Sequence, residues 1–180
     1  MTSPDLRNLD PATLFPATLK ALRNPAFLKT PKYQEQQKRA LREGAHPLIL
    51  EFSDKFVKRM AGLGVPVFAH SIVRDAVEQA GLYARGVSND SPTDGLWPHR
   101  AFAADHIHGN LAWMDELAKQ MPVWEVFGHV GKEVAASMDL KIRWGGDWRT
   151  RKFPQGDPAH WELANWREIA LKGDKHWSPD

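Results

Sequence analysis

The clearest periodic signal lies in HPLILEFSDKFVKRMAGLG, where Leu50, Phe52, Phe56, Met60 and Leu63 recur at near-helical intervals and Gly62 and Gly64 mark an end. VPVFAHS follows and predicts a strand over 65–70. VRDAVEQAGLYARG returns to helical spacing and closes at Gly86. VSNDSPTDGLWP reads as a loop, and AFAADHIH predicts a strand over 102–108. LAWMDELAKQMPVWEVFGHVGKEVAASMDL is mostly helical, with expected interruptions near Pro122 and Gly128. KIRWGG predicts a short strand or turn, and HWELANW a last strand over 160–164. Upstream, prolines at 11, 16, 25 and 31 leave short helical turns in ATLFPATLKALRN, then a helix across YQEQQKRALREG that stops at Gly44. Helices outnumber strands, so the expected architecture is an α+β domain around a small sheet.

The chain has 180 residues, enough for one domain with an appendage. Residues 1–44 are taken as a basic, helical extension, and 45–180 as the main domain. The extension holds eight Lys and Arg against four Asp and Glu, while the remainder holds sixteen against eighteen. That asymmetry favours an anionic surface or marks a solvated helix face. The net charge of +2 and the absence of nucleic-acid motifs argue against a nucleic-acid partner. No stretch reaches the ~18 apolar residues of a membrane span. MTSPDLRNLD lacks a basic-then-apolar leader pattern, which predicts synthesis in the cytoplasm. There are no cysteines, so thiolate metal sites and a Cys nucleophile are excluded, and any metal must rest on the eight histidines and the carboxylates.

His99, Asp105 and His160 could form a three-ligand zinc site. Two neutral imidazoles and one carboxylate leave the ion positively charged, able to acidify water and polarise a carbonyl. Asp157 lies three before His160. On a continuous strand the two would face opposite ways, but Pro158 favours a turn that brings them together, with Asp157 as a base. If HWEL is a strand, His160 and Glu162 share one face and Trp161 and Leu163 the other. Glu162 then either orients a ligand or is a partly exposed charge.

WGGDW at 144–148 followed by DPAHWE at 157–162 resembles the C-terminal signature of the M15 zinc peptidases, which include D-Ala-D-Ala carboxypeptidases and L-Ala-D-Glu endopeptidases. The branch it is most similar to contains phage endolysins. The resemblance implies that His160 is a zinc ligand and Asp157 the catalytic base. In WPHRAFAADHIHG, Ala101, Ala103 and Asp105 fall on the family's G-x-A-x-D, but His99 lies six before Asp105 where the family has seven. Counting seven from His99 reaches His106, a rival ligand. RDAVEQAGLYARG matches the family's R-[ST]-x-x-x-Q-x-x-L-Y-x-x-G at Arg74, Gln79, Leu82, Tyr83 and Gly86, and departs at Asp75. The family role for Arg74 is to stabilise the scissile carbonyl; the bland alternative is a helix-face Arg paired with Glu78. Gln79, Trp144 and His108 are the candidate substrate contacts, and His108 could equally be structural.

The resemblance spans roughly residues 46–165. It implies the small antiparallel sheet with flanking helices shared by these peptidases and the Hedgehog signalling domain. It also implies Zn²⁺ as cofactor, the peptide stem of peptidoglycan as substrate, and a monomer. Without a leader, the expected setting is a phage or prophage lysin acting on the cell wall after holin-dependent release, or within a virion. The alternatives are a D,D-carboxypeptidase on the same fold, or an envelope- or virion-binding protein with a degraded metal site.

Overall fold

A computed structural model describes residues 9–151, 154 and 156–179. Part of the 144–160 segment, at 152, 153 and 155, and the first eight residues of the basic segment lie outside these. The chain is α+β. Four strands, β1 (Val67–Ser71), β2 (Ala103–His108), β3 (Ile142–Trp144) and β4 (His160–Leu163), form one sheet in the order β1-β2-β4-β3, and every neighbouring pair is antiparallel. Each strand expected from the sequence is present, and KIRWGG resolves to a three-residue strand followed by a turn.

The N-terminal segment contributes α1 (Pro11–Leu14), α2 (Pro16–Leu22) and α3 (Pro31–Gln36). The expected helix to Gly44 ends instead at Gln37, for a physical reason. Beyond α3 the backbone is drawn to the outer edge of β1, where Gln37 Nε2 and Tyr33 Oη donate to Val67 O and Leu41 O accepts from Val73 N. Covering an open sheet edge takes precedence over continuing the helix. Leu19 and Leu22 are buried in the same core as the sheet and the longer helices.

α4 (Pro47–Gly62) starts with proline at its first position, and His46 caps it by accepting from Leu48 N through Nδ1. Its buried stripe of Ile49, Phe52, Ser53, Phe56 and Met60 has helical spacing and faces the sheet. α5 (Ala76–Ala84) is capped by Asp75, whose carboxylate accepts from Glu78 N. The departure from the family's Ser or Thr at this position therefore keeps the cap. α6 (Asp115–Ala118) ends ahead of Pro122, and α7 (Val123–Ser137) starts beyond it.

Gly128 does not interrupt α7. It is a point of close approach, because a Cβ there would lie 2.5 Å from the Trp144 ring. The ~1 kcal/mol that glycine costs a helix is offset by the aromatic packing it permits. α8 (Trp166–Lys172) packs with Phe102 and Leu163 in a smaller cluster.

The pleat sorts the strand residues by chemistry. Ala104, His106 and Trp161 face α4 and α7, with Trp161 at 5.2 Å from the Phe52 ring and His106 at 4.9 Å from Phe56. Asp105, His160 and Glu162 occupy the opposite face. Among the described residues no helix is long and apolar enough to cross a membrane.

Candidate metal centre

Asp105 and His160 are directly opposed partners on β2 and β4. Strand pairing therefore fixes their backbone separation before any ligand arrives. His99 enters from a tight 3-10 turn, Pro98–Arg100, just ahead of β2. His99 O accepts from Arg74 N at 2.8 Å, and its ring Nδ1 donates to Ile72 O at 2.8 Å. With Nδ1 committed, His99 Nε2 presents its lone pair to the cluster.

The three ligand atoms converge. His99 Nε2 lies 3.1 Å from Asp105 Oδ1 and 3.2 Å from His160 Nδ1, and His160 Nδ1 lies 2.9 Å from Asp105 Oδ1. Tetrahedral ligands at zinc distances of about 2.0–2.2 Å stand roughly 3.3 Å from one another. The trio is therefore close to the spacing such an ion needs, and all three residues are buried. The group could hold a metal ion. His106 belongs to the other face, where its Nε2 is 2.8 Å from Ser53 Oγ, so Asp105 rather than His106 completes the cluster.

A supporting layer orients the ligands. Glu162 Oε2 meets His160 Nε2 at 3.1 Å, and its Oε1 accepts from Trp166 Nε1 at 3.1 Å and pairs with Arg143. Glu162 is 2% exposed and meets the His160 ring, so it is not a surface charge. Arg74 donates to Asp105 Oδ2 at 2.5 Å and to Ser71 Oγ at 2.9 Å. It precedes α5, so the helix-face pairing with Glu78 is not formed.

The electrostatics follow from these contacts. Burial opposes a charge on His160, but hydrogen bonds to Asp105 and Glu162, with the charges of Asp105 and Asp157, push it up to about 10. Burial also works against the Asp105 carboxylate, yet His99 and His160 hold it well below the usual range. Burial lowers His99. The ligand side chains together therefore carry one proton that an entering cation would displace.

Asp157 sits in the turn before β4. Its carbonyl accepts from His160 N at 3.1 Å, and its amide donates to Gly145 O at 2.8 Å. Gly145 is required here, because a Cβ would lie 2.1 Å from Asp157 O. Trp144 Nε1 donates to Pro158 O at 2.8 Å and ties the same turn from the other side. Desolvation and the charges of Asp105 and Glu162 push the Asp157 carboxyl up to about 6, against the pull of His160 and Arg74, although the residue keeps an exposed surface at the rim. Trp148 stands 5.2 Å from the His160 ring as a wall.

Three sequence candidates are not brought to the cluster. Gln79 is buried and donates to Ser88 Oγ and Asp90 O, fixing the loop after α5. His108 faces the helices, with Nε2 donating to Leu22 O and Nδ1 accepting from Asn110 N and Leu111 N. The Trp144 ring lies between Gly128, Gly146 and Trp161, and lines a separate hollow of about 180 Å³ with Trp124 and Pro158. His70 and Trp113, which no sequence motif marks, stand 5.4 Å apart, and period-two counting from Phe68 puts His70 on the same face as Phe68.

A crystal structure of the L-Ala D-Glu endopeptidase ChiX from Serratia marcescens is similar in fold. It has a TM-score of 0.54 and 19% sequence identity, over 78% of this chain and 91% of that one. At that identity the likeness is one of fold. No protein-family model and no curated protein matches the chain.

Proposed function

We propose that this chain is a zinc-dependent peptidase that cleaves the peptide stem of bacterial peptidoglycan at the L-Ala–D-Glu bond, as a lysis enzyme of a phage or prophage. The observation that carries this reading is the convergence of His99 Nε2, Asp105 Oδ1 and His160 Nδ1 on one sheet face. The WGGDW and DPAHWE motifs and the fold shared with an L-Ala D-Glu endopeptidase support it. In this reading residues 45–180 are the peptidase domain and 1–44 a basic extension, of which the described part is packed on it.

Two imidazoles and a carboxylate are a donor set that suits zinc and leaves a fourth position for substrate or water. When bound, the ion supplies Lewis acidity, polarising the scissile carbonyl and acidifying water. The protein's own groups do the rest. Ile72 O holds His99 in the tautomer that aims its Nε2 lone pair at the cluster, and Glu162 holds the His160 Nε2 proton, so that Nδ1 is the nitrogen that loses its proton to an entering ion. Asp157 accepts a proton from the attacking water and returns it to the leaving amine, a role that needs a base ionised at neutral pH and near enough to reprotonate. Arg74 anchors Asp105 and faces the negative charge that develops on the carbonyl oxygen. Trp148 shields one side of the cleft.

Digestion of defined muropeptides, read by mass spectrometry with and without a chelator, tests the proposal. New L-Ala termini that vanish on chelation are expected. Release of terminal D-Ala instead would make it a carboxypeptidase, and intact substrate would refute peptidase activity.

A further inference from the structure

His70 lies on the strand that pairs with β2 beside Asp105, and among the described residues no side-chain hydrogen bond uses it. In the β1–β2 ladder Ala69 pairs with His106 and Ser71 with Asp105, so His70 is the extra residue of a bulge. Bulges beside functional sites re-aim a side chain out of the ladder. Its ring stands edge-on to Phe68 at 6.3 Å and to Trp113 at 5.4 Å. Phe68 pairs with Ile107, which shares the face of Asp105, so His70 is on the same side as the cluster. His70 Nδ1 is enclosed and has no partner. His46, His99, His106 and His108, all buried, are each bonded through a ring nitrogen. An enclosed N–H without an acceptor costs more than an enclosed lone pair, so Nε2 carries the hydrogen and points it outward.

The second element comes from the N-terminal segment. Gln37 is tied to Val67 O and Leu41 to Val73 N, so the chain between them runs along the outer edge of β1. Arg39 is midway along this run, whose tie points on Val67 and Val73 bracket His70. It is exposed and has no ion pair among the described residues, whereas Arg42 pairs with Asp54 and Arg74 with Asp105. After burial, the field of Arg39 is the next influence keeping the His70 ring neutral, which agrees with their proximity.

We propose that His70 and Arg39 form a carboxylate-binding subsite on the β1 side of the candidate metal centre, with Trp113 as its outer wall. The substrate is taken from the peptidase reading, which this inference deepens. In an L-Ala–γ-D-Glu peptide the free α-carboxylate sits on the carbon that bears the scissile nitrogen. It must therefore lie beside the centre that cuts the bond. Arg39 supplies opposite charge and His70 Nε2–H a directed donor. A segment outside the motif-bearing region thereby contributes to substrate choice.

The probe is the tripeptide L-Ala-γ-D-Glu-L-Lys and the same peptide with its α-carboxylate amidated. Each is titrated calorimetrically into the full chain carrying Asp157→Asn, so that the peptide survives. The acid is expected to bind about tenfold more tightly than the amide. Arg39→Ala and His70→Gln should each abolish the preference, while Lys38→Ala on the same segment retains it. Equal affinity for the two peptides, no binding of either, or a preference that survives both substitutions overturns the subsite. Digestion by the unsubstituted chain separates the two ideas. Cleavage without the preference removes the subsite alone, and the preference without cleavage removes the peptidase reading alone.

Discussion

Zinc entry should expel one proton from the protein even in mild acid. His160 Nδ1 faces Asp105 and its Nε2 faces Glu162, and the two carboxylates push the ring up to about 10. At pH 6.5 the ring is therefore protonated, while His99, lowered by burial, is neutral and Asp105 is ionised. A metal must take Nδ1 from the proton. At about 1.4 kcal/mol per pH unit, the competition costs on the order of 5 kcal/mol at pH 6.5. Apparent zinc affinity should thus rise about tenfold per pH unit between 5.5 and 6.5, a sign fixed by a pKa above the working range. That window lies below the pKa of about 7 at which zinc-bound water itself releases a proton. Calorimetry in buffers of different ionisation enthalpy should find about one proton released per zinc. Glu162→Gln removes one of the two carboxylates, so the pH at which the affinity stops rising should fall, and zinc should bind about 10–100-fold more weakly because His160 loses its orienting partner. A pH-independent affinity with no proton released to the buffer would refute the description of His160 as a cation clamped between two acids.

Asp157→Asn should keep about one metal per chain while kcat falls by about 10²-fold or more, measured on muropeptides. With Asp157 raised to about 6, the wild-type rate should fall on the acid side as the base takes up its proton at or below that value, and the limb should vanish from the residual rate of the variant. Gly145→Ala drives a Cβ into the Asp157 carbonyl and should lower both the melting temperature and kcat, with circular dichroism reporting the former. Leu22→Ala removes a fully buried side chain of the shared core and should cost about 2–5 kcal/mol in denaturant unfolding, showing that the N-terminal segment folds with the domain. Chelation should lower the melting temperature, because an ion bound only by the folded state adds its binding free energy to stability.

What the sequence made legible is what depends on one segment at a time. β-Branched and alternating runs located β1, β2 and β4, and the stripe from Phe52 to Met60 located α4. The cluster was legible because its residue types and spacings are chemically restrictive, and strand parity put His160 and Glu162 on one face in advance. Properties that belong to two segments were not legible. α3 stops early because the chain beyond it is needed at the edge of β1, and Gly128 stays helical because Trp144, from another element, fills the space over it. The bulge exists only in the pairing of β1 with β2, so VFAHS alone does not show that the register shifts after Ala69 and sets Ser71 opposite Asp105. Gln79 and His108 occupy positions with plausible site chemistry, but their hydrogen bonds are spent on a loop and on a helix end.

The same distinction explains why the stretch from Trp144 onward is so rich in bulky residues and glycine. Residues three apart, such as Asp157 and His160, cannot both face one side of a sheet from a straight strand. The chain must turn between them, and a turn at a cleft rim is ordinarily soft. Here Gly145 lets the Asp157 peptide approach until its amide bonds Gly145 O at 2.8 Å, and Trp144 Nε1 grips Pro158 O from behind. Trp144 is itself immobilised between Gly128, Gly146 and Trp161 on α7, the turn and β4. The position of Asp157 is thus referred back through one indole to the helix-backed face of the sheet, the same layer on which His160 and Asp105 are registered. Asp157, Asp105 and His160 share a single rigid frame, and the glycines are the clearance that allows the frame to close.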